Sequence, residues 1–277
     1  MKPEAIKDYF LVNGKVESIT NVEIFEKITK PPIYEVIRVI DKVPLFLEEH
    51  LNRMRESAKI VDYHIIRKDK EIEKDIKELI NKNSIENLNV KLLCADIEGM
   101  GQVFLAYFIK SFYPPEEYYK KGIHTILFHY ERKNPNAKVQ MVSFREEVAK
   151  KLEENNAFEA LLVNKNGYIP EGSRSNMFFV KGDKIYTAPK GDVLLGITRK
   201  YIFQVCEELN IKIIEENIHI EDLEKLDGAF MSGTSVNVLP ISSVDDIKLN
   251  SINNKIIKEA NNAYINKMKT YIKKKTL

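Results

Sequence analysis

"IPEGSRSNMFFV", residues 169–180, decides how this chain is read. A short apolar run at 160–163 comes before it, followed by a turn signal at 164–167. An acid, a glycine, two serines and an amide then stand ahead of a second apolar run. The spacing predicts a β-hairpin with Glu171 and Asn176 at the start of its return strand. A charged residue beside a glycine suits a wet turn equally well. The meaning of Glu171 therefore depends on what else the chain carries.

At 277 residues, with 44% hydrophobic and 30% charged, the composition is that of a globular protein long enough for two modest domains. The charges nearly cancel, 43 Lys and Arg against 41 Asp and Glu, so no overall field draws in nucleic acid or an anionic membrane. A small-molecule function fits better. Cys94 and Cys206 form no C-x-x-C pair and the five histidines show no metal-ligand spacing, so no metal site is expected. Reduced thiols, an N-terminus without an apolar signal core, and no apolar run near ~18 residues together suggest a cytoplasmic protein without a membrane span.

Alternating and three-to-four periodicity predict mixed strands and helices. A strand is expected over 10–16, a hairpin over 33–47 broken at Asp41-Lys42, helices over 48–61 and 68–81, and strands over 90–95 and 103–112. The proline pair in "YPPEEYYKKG", residues 113–122, marks a boundary. We expect a smaller N-terminal domain over 1–117 and a larger C-terminal domain over 118–277. Beyond the boundary come a strand at 123–130, an irregular stretch near Asn134, a helix at about 143–155, the opening hairpin, a helix at 198–209 and a final amphipathic helix from about Asn254. The class is α+β or mixed α/β, two domains with a cleft where a ligand binds.

Several short stretches could carry chemistry. In "LLGITRKYIF", residues 194–203, Gly196, Ile197 and Thr198 precede an apolar-periodic helix. Such a helix start offers backbone N–H groups to an anion, or is merely capped by the threonine. "FMSGTSVNVLP", residues 230–240, is a run of small hydroxyl residues that suits a phosphate or carboxylate, or a plain turn. Arg53, inside "EEHLNRMRESAKI", is either a surface arginine or one aimed at a phosphate. Lys138, in "NPNAKVQMV", has apolar neighbours, and a desolvated neutral amine can form a Schiff base. A Schiff-base lysine, a phosphate cup and a carboxylate are what a pyridoxal phosphate site needs.

Taken together, "EGSRSNMFF", "IYT" and "LLGITR" between Glu171 and Arg199 resemble the class IV pyridoxal-phosphate aminotransferases. This group holds the branched-chain and D-amino-acid aminotransferases and the 4-amino-4-deoxychorismate lyases. "YEVIRV" from Tyr34, the H-x-x-R-M helix at His50, "NAK" and "FMSGTSVNVLPISSVDD" extend the resemblance to about Asp246. It implies the two-domain D-amino-acid-aminotransferase-like fold, pyridoxal 5′-phosphate in the interdomain cleft, and a homodimer.

Carried over residue by residue, the resemblance makes Lys138 the covalent cofactor anchor and proton shuttle, and Glu171 the partner of the pyridine nitrogen. Arg53, Ile197, Thr198 and Thr234 would bind the phosphate. Tyr34, Arg38 and Ser235 would meet the substrate. Asn176 is expected to fix its turn by hydrogen bonds. Three departures bear on the substrate: no arginine or histidine in 89–104, Val36 where branched-chain enzymes have glycine, and Ser143 where they have tyrosine. The leading expectation is amino-group transfer between a branched-chain or other small or hydrophobic amino acid and a 2-keto acid. A lyase releasing pyruvate from aminodeoxychorismate and a non-catalytic cofactor-binding protein are the alternatives.

Overall fold

The computed structural model describes residues 4–132, 135–139 and 142–276. Asn134 and Met141, which flank the Lys138 stretch, lie outside them. The chain forms two compact units. One takes in the chain up to Phe112, the short segment around Lys138 and the chain from Lys269 onward; the other holds Tyr113–Asn136 and Val142–Met268. The single boundary expected at 117/118 is thus corrected. The first unit regains two later segments, because each is tied to it. Tyr34 N–H donates to the Lys138 carbonyl at 3.3 Å, and Leu47 N–H donates to the Tyr271 hydroxyl at 3.2 Å.

The first unit is a six-stranded antiparallel sheet with its two long helices on one face and a short one on the other. Its strands are β1 (Tyr9–Val12), β2 (Lys15–Ser18), β3 (Ile33–Ile40), β4 (Val43–Pro44), β5 (Leu88–Ile97) and β6 (Gly101–Ile109), in the order β2-β1-β6-β5-β3-β4. The short α1 (Glu23–Glu26) and the longer α2 (Leu47–Ile60) and α3 (Asp69–Lys82) complete it. Alternate residues of β3 decide the two faces: Ile33, Ile37 and Val39 pack with Leu51, Met54, Ile72, Ile76 and Leu79 of α2 and α3. Tyr34, Val36 and Arg38 therefore point the other way.

Two expectations fail here for local reasons. The strand expected over 10–16 is a hairpin, because Asn13 and Gly14 both take positive φ (49° and 83°), the geometry a two-residue turn requires. Val61 lies just past the end of α2 and is 39% exposed, so it is not on the packed stripe.

The second unit centres on an eight-stranded mixed sheet. The strands of the whole unit are β7 (Ile123–His129), β8 (Glu159–Val163), β9 (Tyr168–Ile169), β10 (Asn176–Lys181), β11 (Lys184–Thr187), β12 (Lys212–Glu215), β13 (Ile218–His219), β14 (Gly228–Gly233), β15 (Asn237–Val244) and β16 (Ile247–Lys248). The sheet runs β12-β11-β10-β14-β15-β7-β8 with β16 beside β15, while β9 and β13 pair separately. Its helices are α4 (Glu116–Lys121), α5 (Val142–Glu154), α6 (Ile197–Glu208) and α7 (Lys255–Thr276), the last passing into the first unit at Lys269. The α+β class expected from periodicity describes both units.

The opening stretch is not a simple hairpin. β8 stands at one end of the sheet and β10 near the other, so residues 170–175 run across the gap between them. Isolated bridges Leu161–Gly172 and Glu171–Asn176 tie that crossing down at both sides. Glu171 is buried because it lies in this crossing and not in an open turn.

Candidate functional site

In the first unit the candidate residues lie on β3, on α2 and in the short segment around Lys138. Beside Tyr34 in sequence, Glu35 points to the helix side and is fully buried. Arg53 grips it with two bonds, Nε to Oε1 at 2.7 Å and Nη2 to Oε2 at 2.6 Å, and His50 Nδ1 lies 2.9 Å from Oε2. Burial alone would raise the Glu35 carboxyl. The Arg53 guanidinium, with the hydrogen bonds from His50 and Arg53, outweighs it and holds the group well below the usual carboxylate range. Burial pushes the His50 imidazole down, against the pull of Glu35, so a neutral ring donating from Nδ1 to the carboxylate fits both shifts. Arg53 is therefore held rigid by an ion pair that the sequence did not announce.

Ser57, one turn after Arg53 on α2, accepts a hydrogen bond from Lys138 N–H at 3.2 Å. The Lys138 carbonyl accepts from Tyr34 N–H, and Val139 bridges to Ile33. With its backbone fixed on both sides, half-buried Lys138 places Nζ 4.8 Å from the centroid of the Tyr34 ring. Lys91, on β5, brings a second ammonium to 5.1 Å of the same centroid and is only 2% exposed. Half-buried Arg38 lies on the same sheet face as Tyr34.

In the second unit Glu171 is 3% exposed and pairs with Arg132, whose Nε lies 3.2 Å from Oε1. The two serines of the motif serve a different acid. Ser173 Oγ donates to Glu159 Oε1 at 2.5 Å and Ser175 Oγ to Oε2 at 2.8 Å, which satisfies a carboxylate buried at the start of β8. Gly172 is needed in this packing, since a Cβ there would lie 2.3 Å from Ser175 Oγ. Asn176 Nδ2 donates to the Leu194 carbonyl at 2.8 Å, joining the motif to the turn before α6. A Cβ on Gly196 would come within 2.1 Å of Asn176 Oδ1, so that turn has no room for a side chain.

The cap of α6 is Gly196, not Thr198 as the sequence suggested. Ile197 and Thr198 are instead the first two helical residues, whose N–H groups have no partner within the helix. Thr198 is 5% exposed, and its Oγ1 accepts from the Tyr264 hydroxyl at 3.4 Å. Thr234 and Ser235 are half-buried in the tight turn between β14 and β15, closed by Val236 N–H to the Gly233 carbonyl at 3.2 Å. Ser232, opposite Asn176 across the β10–β14 pair, is 1% exposed, and its hydroxyl has no hydrogen-bond partner among the described residues.

Thus the structure gathers Tyr34, Arg38, Arg53 and Lys138 in one unit, and Glu171, Ile197, Thr198, Thr234 and Ser235 in the other. Sequence reasoning missed Glu35, Ser57, Lys91, Arg132 and Glu159. The i, i+3, i+7 spacing of His50, Arg53 and Ser57 on the apolar side of α2 was a usable signal. Ser143 is exposed on α5. No group of three or more His, Cys, Asp or Glu placed to hold a metal ion occurs among the described residues, and no described helix is long and apolar enough to cross a membrane.

Known proteins resemble this chain in sequence and fold. The chain is 29% identical over 238 residues to the branched-chain-amino-acid aminotransferase of Salmonella typhimurium, covering 78% of this chain and 77% of that one. It is 27% identical over 224 residues to the D-alanine aminotransferase of Bacillus licheniformis, with 77% and 78% covered. The crystal structure of a T.th. branched-chain amino acid aminotransferase with pyridoxamine 5′-phosphate superposes with a TM-score of 0.85 over 96% of both chains at 24% identity, a likeness of fold. Residues 32–244, which run from just before Tyr34 to beyond the β14–β15 turn, match the family described as amino-transferase class IV. With both candidate clusters inside that span, the chain belongs to the class IV aminotransferases.

Proposed function

We propose that this aminotransferase moves an amino group between a branched-chain or other small or hydrophobic amino acid and a 2-keto acid, with pyridoxal 5′-phosphate as cofactor. The anchoring of Lys138 carries the reading: its N–H and C=O are both engaged, so its amine stands over Tyr34 from a fixed base. The residues fit the cofactor by their own chemistry. Glu171 is a buried acid suited to a cationic ring nitrogen, the start of α6 offers N–H groups suited to phosphate, and the Ser232 hydroxyl is a buried group with bonding capacity to spare. The T.th. protein, which shares the fold, holds the related pyridoxamine 5′-phosphate.

When bound, the cofactor supplies an electron sink for the carbon that loses its proton. Lys138 would hold it covalently through Nζ and supply that amine as the group that moves the proton. Glu171 would keep the ring nitrogen protonated. Arg53, aligned by Glu35, is suited to a phosphate in the first unit, and the N–H groups of Ile197 and Thr198 and the Thr234 hydroxyl are suited to one in the second. Tyr34 and Arg38 line the substrate side, and Ser235 offers an N–H to the substrate carboxylate. We further place the chain in the cytoplasm as a homodimer, in keeping with its free, buried Cys94 and Cys206 and with its family resemblance.

The test is to load the purified protein with pyridoxal 5′-phosphate and follow its visible absorbance on adding L-leucine, D-alanine or L-glutamate separately, then a keto acid. L-leucine is expected to change the band and a 2-keto acid to restore it. If no amino acid changes it, or if pyruvate forms from aminodeoxychorismate without an acceptor, the reading fails.

A further inference from the structure

Lys91 is a charged side chain that the assignments above leave unused. It is 2% exposed, and its Nζ lies 5.1 Å from the centroid of Tyr34 and 5.9 Å from that of Tyr107. A buried ammonium in an aromatic wall needs a counter-charge. Here Glu4 provides it: its carboxylate forms an ion pair with Lys91, and the Tyr107 hydroxyl donates to the same oxygen at 3.4 Å. Glu4 comes from a short N-terminal segment held on β6 by the Ala5–Ile109 bridge and by Ile6 N–H to the Phe108 carbonyl at 3.0 Å. Its side chain is 36% exposed, so leaving Lys91 would return it to water at little cost.

An ammonium and a phenol converging on one point form a receptor for a carboxylate. The receptor is also close to Lys138. Both lysine nitrogens sit over the Tyr34 ring and are therefore no more than about 10 Å apart. A substrate that reacts at Lys138 and carries a second carboxylate a few bonds away could reach Lys91. Glu4 competes for the same place with the advantage of being attached, at an effective concentration of order mM.

We propose that Glu4 is a specificity determinant. Its carboxylate fills the site formed by Lys91 and Tyr107, and so disfavours dicarboxylic amino and keto acids relative to monocarboxylic ones. This rests on Lys138 being the reacting centre, as set out under Proposed function. The Glu4–Lys91 pair answers the absence of arginine and histidine from residues 89–104: the cation there is a lysine, already occupied.

The experiment compares glutarate with pentanoate, which differ by one carboxylate, by calorimetric titration of the cofactor-loaded protein. Glu4→Gln is expected to bind glutarate at least about tenfold tighter than wild type, with pentanoate changed less than about twofold. Glu4→Gln/Lys91→Met is expected to lose that gain. Equal changes for both ligands, or a gain that persists in the double variant, would overturn the proposal. Should Glu4→Gln fail to fold, Glu4→Asp, which keeps the charge but draws the carboxylate back by one methylene, decides: tighter glutarate binding with unaltered pentanoate binding supports the proposal, and no difference between the ligands refutes it. Turnover of L-glutamate against L-leucine in the same variants is measured in parallel. Because the binding arm does not need turnover, absent transamination in wild type would count against the proposed function and leave the Glu4 result to be read by itself.

Discussion

In the first unit the candidate residues are charged side chains held by other charged side chains, Arg53 by Glu35 and Lys91 by Glu4. In the second they are mainly backbone N–H groups and small hydroxyls, set by a glycine turn before α6 and by the β14–β15 hairpin. The first arrangement is vulnerable to subtraction, because removing one partner leaves a buried charge uncompensated. The second is vulnerable to addition, because a helix start and a tight turn lose their geometry when bulk is placed in them. Anion recognition, as proposed for both units, would thus be built at high electrostatic cost in the first and at low cost in the second.

The largest effect should come from Lys138→Ala, since it removes the proposed reacting amine. We expect transamination to fall by at least ~10²–10⁴-fold, measured as kcat with saturating cofactor, while the urea midpoint of the cofactor-free protein changes little. Glu35→Ala strands Arg53 and His50 and should cost about 3–5 kcal/mol in urea unfolding. A loss below about 1 kcal/mol would mean the charged network is not the support described here.

On the other side of the comparison, Gly196→Ala forces a Cβ against Asn176 Oδ1 and should cost about 1–3 kcal/mol and weaken cofactor binding, whereas Gly191→Ala, with open space around it, should do neither. Thermal melts across pH probe the Glu35 cluster. Both Glu35 and His50 are shifted down in the folded protein, so the unfolded chain binds protons first. Stability should be full above about pH 6.5, fall as His50 is forced to accept a proton, and fall again below about pH 4.5 as Glu35 is. His50→Asn should flatten the first decline and leave the second. The smallest effect concerns the thiols. Burial pushes Cys94 and Cys206 up to about 12, so neither should react appreciably with a thiol reagent at neutral pH until the protein unfolds.

The two regions also differ in how much of them could be read from sequence. Glycine, serine and threonine before an apolar-periodic helix advertise a backbone anion site by local rules, so Ile197, Thr198 and Thr234 stand out. The cap differs from expectation, because glycine at 196 satisfies the turn without a side-chain bond. Glu35 could not be paired with Arg53, nor Glu4 with Lys91, because such partners are chosen by strand register and helix packing across long sequence separations. The motif serines show the converse. Their place beside Glu171 suggests a role there, yet they satisfy Glu159, a residue that in sequence looks like any strand-edge acid. The Asn13-Gly14 hairpin, by contrast, is legible in the dipeptide but masked by the apolar residues on either side of it.

The most direct test of the account is to find which lysine carries the cofactor. The protein would be loaded with pyridoxal 5′-phosphate, reduced with borohydride, digested and its peptides weighed by mass spectrometry. The expected result is a single modified peptide containing Lys138. Modification at Lys91, the other amine over Tyr34, or at no lysine at all would contradict it.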